Sequence, residues 1–250
     1  MGDRIEHFNS YDKRVGSGKK GTLVNDKMEG VWEAYEDNVL VSKITYKNGV
    51  KNGPCERYSE GKLCAAGNYM NGEEEGLWTY YENGIKSRTI SFKKGLFDGP
   101  NAAFNPDGKL RYIMHYQNNI LDGYCEDYQD GQLKHRRLYR NGEITPIYEE
   151  YDEQGKVKEK GYFDASGQEV HEYYQNNRIK ERTIRQPNGT VYEYYDENGL
   201  LSRKGYQNEN GDDVIENYQA GRLESRRLQS AVIDRILSEN YVSPIGKKVS

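Results

Sequence analysis

The chain is poor in the residues that usually build cores and covalent frameworks. Among 250 residues there are three Cys, six Pro and five Phe, and only 34% of the chain is hydrophobic. Cys55, Cys64 and Cys125 are odd in number and form no CxxC pair, so no disulfide framework is implied. No run approaches 18 apolar residues, so no membrane-crossing helix is expected. A net charge of −4 and a pI near 5.7 disfavour nucleic acid and anionic membrane as partners. The opening Met-Gly-Asp-Arg-Ile-Glu-His has no apolar stretch, and Glu6 stands where a myristoylation motif wants Ser or Thr. A reduced, cytoplasmic protein is the expectation.

What is abundant is Tyr, with 23, and Gly, with 27. With 30% charged residues the composition leans toward disorder, but the placement contradicts it. An aromatic returns at Tyr35, Tyr58, Tyr81, Phe104, Tyr128, Tyr151, Tyr174, Tyr195 and Tyr218, in steps of 23, 23, 23, 24, 23, 23, 21 and 23. A period this regular describes one small unit repeated along the chain, not a single irregular core. Tyr supplies apolar area while its hydroxyl stays at the edge of a thin core.

Each unit reads as a β-hairpin: two short segments of aromatic and β-branched residues separated by Gly or Asn turns. The third turn residue is Gly in seven of nine units; Asn38 and Asn177 are the exceptions. Asn is the non-Gly residue best suited to positive φ, so this place is expected to be left-handed. Acids two residues before the aromatic (Glu33, Glu126, Glu149, Glu172, Glu193, Glu216) meet bases across the turn (Lys43, Arg136, Lys160, Arg182, Arg203, Arg226), while Glu56 meets Ala66, and this ladder sets the register. Thr79 and Ala102 interrupt it, and there the bases are missing too, at Thr89 and Ile113. Strict alternation puts Glu33, Tyr35, Val41 and Lys43 on one face and Trp32, Ala34, Ile44 and Tyr46 on the other, more apolar, packed face.

The expected fold is therefore all-β: an elongated array of about nine hairpins in one twisted sheet. Residues 1–29 form an N-terminal cap and degenerate first repeat, 30–228 the repeats, and 229–250 a capping helix and tail. The helix is suggested by Val232, Ile233, Ile236, Leu237 and Tyr241 on one helical face, with Pro244 as its stop.

The pattern Gly-x-Trp/Tyr-x-x-Tyr-x-x-x-Gly-x-Leu followed by Tyr-x-Asn-Gly, over about residues 20–228, resembles the bacterial variant of the MORN repeat and most of all the YwqK-type antitoxin family. Pro146, Val170 and Val191 depart from the leading Gly. The resemblance implies a non-enzymatic protein-binding scaffold of antitoxin or immunity type that neutralises a partner, such as a cognate toxin, by direct contact. A membrane- or envelope-associated scaffold binding phospholipid is the alternative it implies.

No cofactor or metal is expected. His7, His115, His135 and His171 lie in different units or outside the array. Hairpins ~10 Å apart do not share a coordination sphere without bending. Cys55 and Cys125 occupy the slot of Trp32 and Trp78 and read as packing residues. Asn208-Glu-Asn-Gly-Asp-Asp213 lacks the alternating ligands of a calcium loop and reads as a longer turn. For partner binding the ladder's interruption draws attention to Phe92, Leu96, Phe97, Phe104 and Tyr112, with Arg136 and Arg182 as the ladder's own candidates. Phe97 is expected in a turn between hairpins.

Overall fold

The computed structural model describes residues 3–229, which contain 21 β-strands and no helix. Of the capping helix expected at 229–250, Gln229 is the last residue of a strand and the rest lies outside the described residues. The chain divides into two compact units, Met1–Thr145 and Pro146–Ser250, with the boundary inside strand Glu143–Tyr151. Within each, the strands are antiparallel and pair with their sequence neighbours, except that Gly99–Phe104 pairs with Ile85–Lys93 past the two-residue strand Leu96–Phe97.

All nine expected hairpins form. The first unit holds Lys27–Glu36 with Val39–Lys47, Val50–Ser59 with Lys62–Met70, Glu73–Glu82 with Ile85–Lys93, Gly99–Phe104 with Leu110–Gln117, and Ile120–Gln129 with Gln132–Arg140. The second holds Glu143–Tyr151 with Val157–Phe163, Glu169–Gln175 with Arg178–Gln186, Gly189–Tyr195 with Leu201–Gln207, and Asp213–Gln219 with Arg222–Gln229. The N-terminal segment adds a further pair, Ile5–Asn9 with Gly18–Val24. It continues the repeat: the Tyr11 ring lies 5.2 Å from Tyr35 and the Phe8 ring 5.3 Å from Trp32, both tilted.

Turn chemistry explains the local geometry. Asn38 and Asn177 have φ of 66° and 62°, as the sequence requires. The residues before them are left-handed too, at 49° for Asp37 and 53° for Asn176. These are two-residue turns of the I′ type, whose twist matches the flanking strands. Where the sequence reads Asp-x-x-Gly or Asn-x-x-Gly, the loop is one residue longer. Asp152 Oδ1, for example, accepts the N–H of Gln154 and Lys156. The Asn208 segment is one of these, with Asn208 Oδ1 accepting from Asn210 and Asp212.

Two kinds of β-bulge refine the simple alternation. Within every hairpin the register shifts immediately before the periodic aromatic, as between Ala34 and Tyr35 or Tyr173 and Tyr174. Leu40, not Val41, therefore faces Tyr35, which corrects the face assignment made from strict alternation. Between hairpins of the first unit a second bulge sits at the leading Gly: Gly30, Gly53, Gly76, Gly99 and Gly123 all have positive φ, from 72° to 123°. Their partners skip accordingly, as between Ile44 and Tyr46.

In the second unit the pairing between hairpins is regular, Phe163↔Glu169 through Glu159↔Tyr173 without a shift. No residue at the place of the leading Gly has positive φ there. Counted from the aromatic, Glu169 and Thr190 occupy the place of the leading Gly; Val170 and Val191 are one residue further on, and both are buried. The same row in the first unit is exposed, with Val31 and Leu77 each 57% accessible. Loss of the bulge therefore accompanies a change in which face is packed.

In the first unit the core is the Trp32 face. Trp78, fully buried, contacts Tyr69 and Phe92 edge-on at 5.2 and 6.3 Å, and Cys55 completes the cluster. In the second unit the buried residues Val170, Glu172, Val191, Val214 and Glu216 belong to the face that carries the acids.

Candidate interaction surface

The periodic Tyr and the acid two residues before it point to the same side of one strand, and this proximity makes them partners. Tyr35 donates to Glu33 (2.7 Å), Tyr58 to Glu56 (2.5 Å), Tyr128 to Glu126 (2.8 Å), Tyr174 to Glu172 (2.5 Å), Tyr195 to Glu193 (2.8 Å) and Tyr218 to Glu216 (2.7 Å); Tyr151 donates to Glu149 likewise. The carboxylate hydrogen bond holds the Tyr58 phenol up to about 12, with burial adding to it. The sequence carried a signal for this coupling: the one unit with Phe104 in place of Tyr is the unit with Ala102 in place of Glu.

The acids and bases form rows that run across strands, between hairpins as well as within them. In the first unit the cross-strand order is Lys20, Glu33, Lys43, Glu56, Ala66 and Thr79, then Thr89, Ala102, Ile113, Glu126 and Arg136. Five consecutive strands, from Ala66 to Ile113, thus contribute no charge to the row. The interruption read from Thr79 and Ala102 is a continuous uncharged window, with exposed Leu77 beside Thr79.

In the second unit the row is unbroken from strand to strand. Glu149 faces Lys160, Lys160 faces Glu172, Glu172 faces Arg182, and Arg182 faces Glu193. Glu193 then faces Lys204 rather than Arg203, because the longer Asp196–Leu200 loop moves the register by one. Lys204 faces Glu216, and Glu216 faces Arg226.

The centre of this row is self-contained. Glu172 has 2% of its surface exposed. Arg182 forks onto Oε1 through Nε (2.9 Å) and Nη2 (2.7 Å), Tyr162 donates to the same oxygen (2.8 Å), and Lys160 Nζ lies 3.1 Å from Oε2. Burial alone would raise the Glu172 carboxyl, but hydrogen bonds from Tyr174, Arg182, Tyr162 and Lys160 outweigh it and bring it down to about 2. Arg182 also approaches Glu193 at 3.7 Å. Its donors are engaged within the sheet.

The sequence-chosen residues do not form one patch. Phe92 is 8% exposed and packs into the Trp78 cluster, leaving little surface for a partner. Phe97 lies in the short strand Leu96–Phe97, not in a turn; its ring sits 5.4 Å from Phe92 and 5.5 Å from Tyr116. Tyr112 pairs with Ala103 and shares that packed side, whereas Phe104 and Ile113 lie on the acid–base side. Lys86 Nζ stands 3.8 Å over the Phe104 ring. Leu96 is 38% exposed. Arg136 is half-buried, its guanidinium 4.8 Å from the Tyr124 ring. Closeness in sequence misled here because alternation sends neighbouring side chains to opposite faces.

Among the described residues no group of three or more His, Cys, Asp or Glu side chains is placed to hold a metal. Burial pushes the Cys55 and Cys125 thiols up, as packing residues require.

Three segments, residues 28–48, 98–118 and 147–165, match the MORN repeat variant. Each covers most of one hairpin and contains its periodic aromatic, Tyr35, Phe104 or Tyr151, so the matches and the hairpins share one frame. No curated protein matches the chain. With nine hairpins on the frame of the three matched segments, the chain is a β-hairpin repeat scaffold that carries segments matching the MORN repeat variant.

Proposed function

We propose that this protein is a non-enzymatic, cytoplasmic protein-binding scaffold whose partner docks on the uncharged window of the first unit. The observation that carries this reading is the run of uncharged residues Ala66, Thr79, Thr89, Ala102 and Ile113 in a row otherwise built of alternating acids and bases. A weakly polar centre bordered by charge is the arrangement that favours a desolvated contact. Leu77, Tyr81, Phe104 and Lys86 edge the window and offer apolar and cation–π contacts. The antitoxin-type role implied by the sequence resemblance is the finer form of this proposal, with a cognate toxin as partner.

The test is capture from a host extract on the immobilised full chain, with partners identified by mass spectrometry. It is repeated with the double variant Thr79→Glu, Thr89→Lys, which sets an opposed pair of charges in the middle of the window and is compatible with the fold. The expected result is a specific protein captured by the parent and lost by the variant. Retention by the variant, together with loss on Arg136→Glu, Arg182→Glu, overturns the window. Co-sedimentation with anionic vesicles in place of a protein partner overturns the protein-binding reading.

A further inference from the structure

Four Asn-Gly dipeptides of the first unit occupy the same kind of two-residue turn. Asn48-Gly49, Asn71-Gly72, Asn83-Gly84 and Asn141-Gly142 have φ between 49° and 53° at Asn and between 80° and 91° at Gly. Three of them join one hairpin to the next, and there the Gly N–H is held. Gly49 donates to Met28 O, Gly72 to Lys51 O and Gly142 to Leu121 O, each at 2.8 Å. The fourth, Asn83-Gly84, closes a hairpin at the other ends of the strands. Among the described residues no backbone carbonyl accepts from Gly84 N–H, and no atom lies within 4 Å of where a Gly84 Cβ would stand. Asn83 and Gly84 are both exposed.

We infer that Asn83 is a site of spontaneous deamidation and that the stacking of turns between hairpins protects Asn48, Asn71 and Asn141. Hydroxide or a buffer base removes the proton from Gly84 N, and that nitrogen forms a bond to Asn83 Cγ. The Cγ–Nδ2 bond breaks and ammonia leaves with a proton, giving a succinimide. Water then opens the ring at either carbonyl to yield aspartate or isoaspartate. No oxidant, metal or enzyme is required. The first step needs the Gly nitrogen free of its hydrogen bond, and breaking an amide hydrogen bond is unfavourable. Identical dipeptides in near-identical turns therefore age at different rates. The product carries one added negative charge, and its isoaspartyl form adds one main-chain carbon to a turn that tolerates only two residues.

The experiment is incubation of the native full chain at mildly alkaline pH and 37 °C, with timed peptide mapping by mass spectrometry. A parallel sample is held in denaturant. Asn83 is expected to convert faster than the other three sites in the native protein by roughly tenfold, the scale of one net hydrogen bond. In denaturant the four rates are expected to converge. Equal native rates at the four sites overturn the inference. A lead for Asn83 that persists undiminished in denaturant also overturns it, since neighbouring sequence would then be the cause.

Discussion

The Trp78 ring lies directly over Gly67: a Cβ added at Gly67 would stand 2.2 Å from ring carbon Cδ2. Trp78 Nε1 donates to the carbonyl of Asn68 at 3.1 Å, so the ring cannot withdraw without losing that bond. Gly21 and Trp32 repeat the arrangement, with a 2.3 Å approach and a bond from Nε1 to Thr22 O. Where the slot holds the smaller Cys55, the facing strand carries Ile44 at the matching place. Slot and facing residue are thus matched in size.

Gly67→Ala is expected to destabilise the protein by about 1–3 kcal/mol through overpacking. Gly205→Ala, at a glycine with nothing within 4 Å of its added Cβ, is expected to have little effect. Denaturant titration of the two variants decides the point; equal midpoints would remove the ring contact as a constraint.

The two Asn turns separate in their response to glycine. Asn177→Gly relieves a left-handed Asn and is expected to be neutral or mildly stabilising. Asn38→Gly is expected to be less favourable, because Asn38 Oδ1 accepts from Tyr11 OH at 2.5 Å. Gly131→Val, at φ 83°, should cost on the order of 1 kcal/mol or more. A Gly131→Val protein that melts with the parent would refute the left-handed requirement.

Acid stability should depend on Glu172. Its carboxyl stands near 2 in the folded protein against 4.5 as the reference for the unfolded chain. A depressed carboxyl stabilises the fold fully above the unfolded value, and this contribution is lost as pH falls from about 4.5 toward 2. At about 1.4 kcal/mol per pH unit the effect is on the order of 3 kcal/mol. Unfolding free energies measured between pH 7 and pH 2 should fall less steeply in Glu172→Gln than in the parent. Parallel curves would show that the Arg182–Lys160–Tyr cluster is not the source.

Thiol labelling should rank the cysteines. Cys55 is 1% exposed and burial raises its thiol, as it does that of Cys125, whereas Cys64 is half-buried at a bulge position. A thiol reagent at pH 8 is expected to modify Cys64 first and Cys55 last. Labelling of Cys55 ahead of Cys64 in the native protein would contradict the placement of Cys55 in the core.

Much of this was legible before any coordinates. The hairpin period, the left-handed Asn38 and Asn177, and the pairs Glu33–Lys43, Glu126–Arg136 and Glu216–Arg226 all follow from the sequence. The face of Val41 and the partner of Glu193 were not legible, because each depends on one residue more or less in a loop or bulge. The candidate residues around Phe97 do not make one patch for a different reason: strand alternation sends sequence neighbours to opposite faces.

Local chemistry thus determined the repeating unit. Gly and Asn are the residues that sit in left-handed turns without strain, and a two-residue turn of that hand dictates a hairpin. Tertiary structure decided which side of each hairpin is buried. Pairing between hairpins is a contact of distant strands, and a bulge at Gly30 or Gly76, absent at Glu169 and Thr190, exposes Val31 and Leu77 but buries Val170 and Val191. The same difference makes Glu172 a buried, fully bonded carboxylate while Glu33 stays half-exposed, for burial is set by what packs against a residue and not by the residue itself.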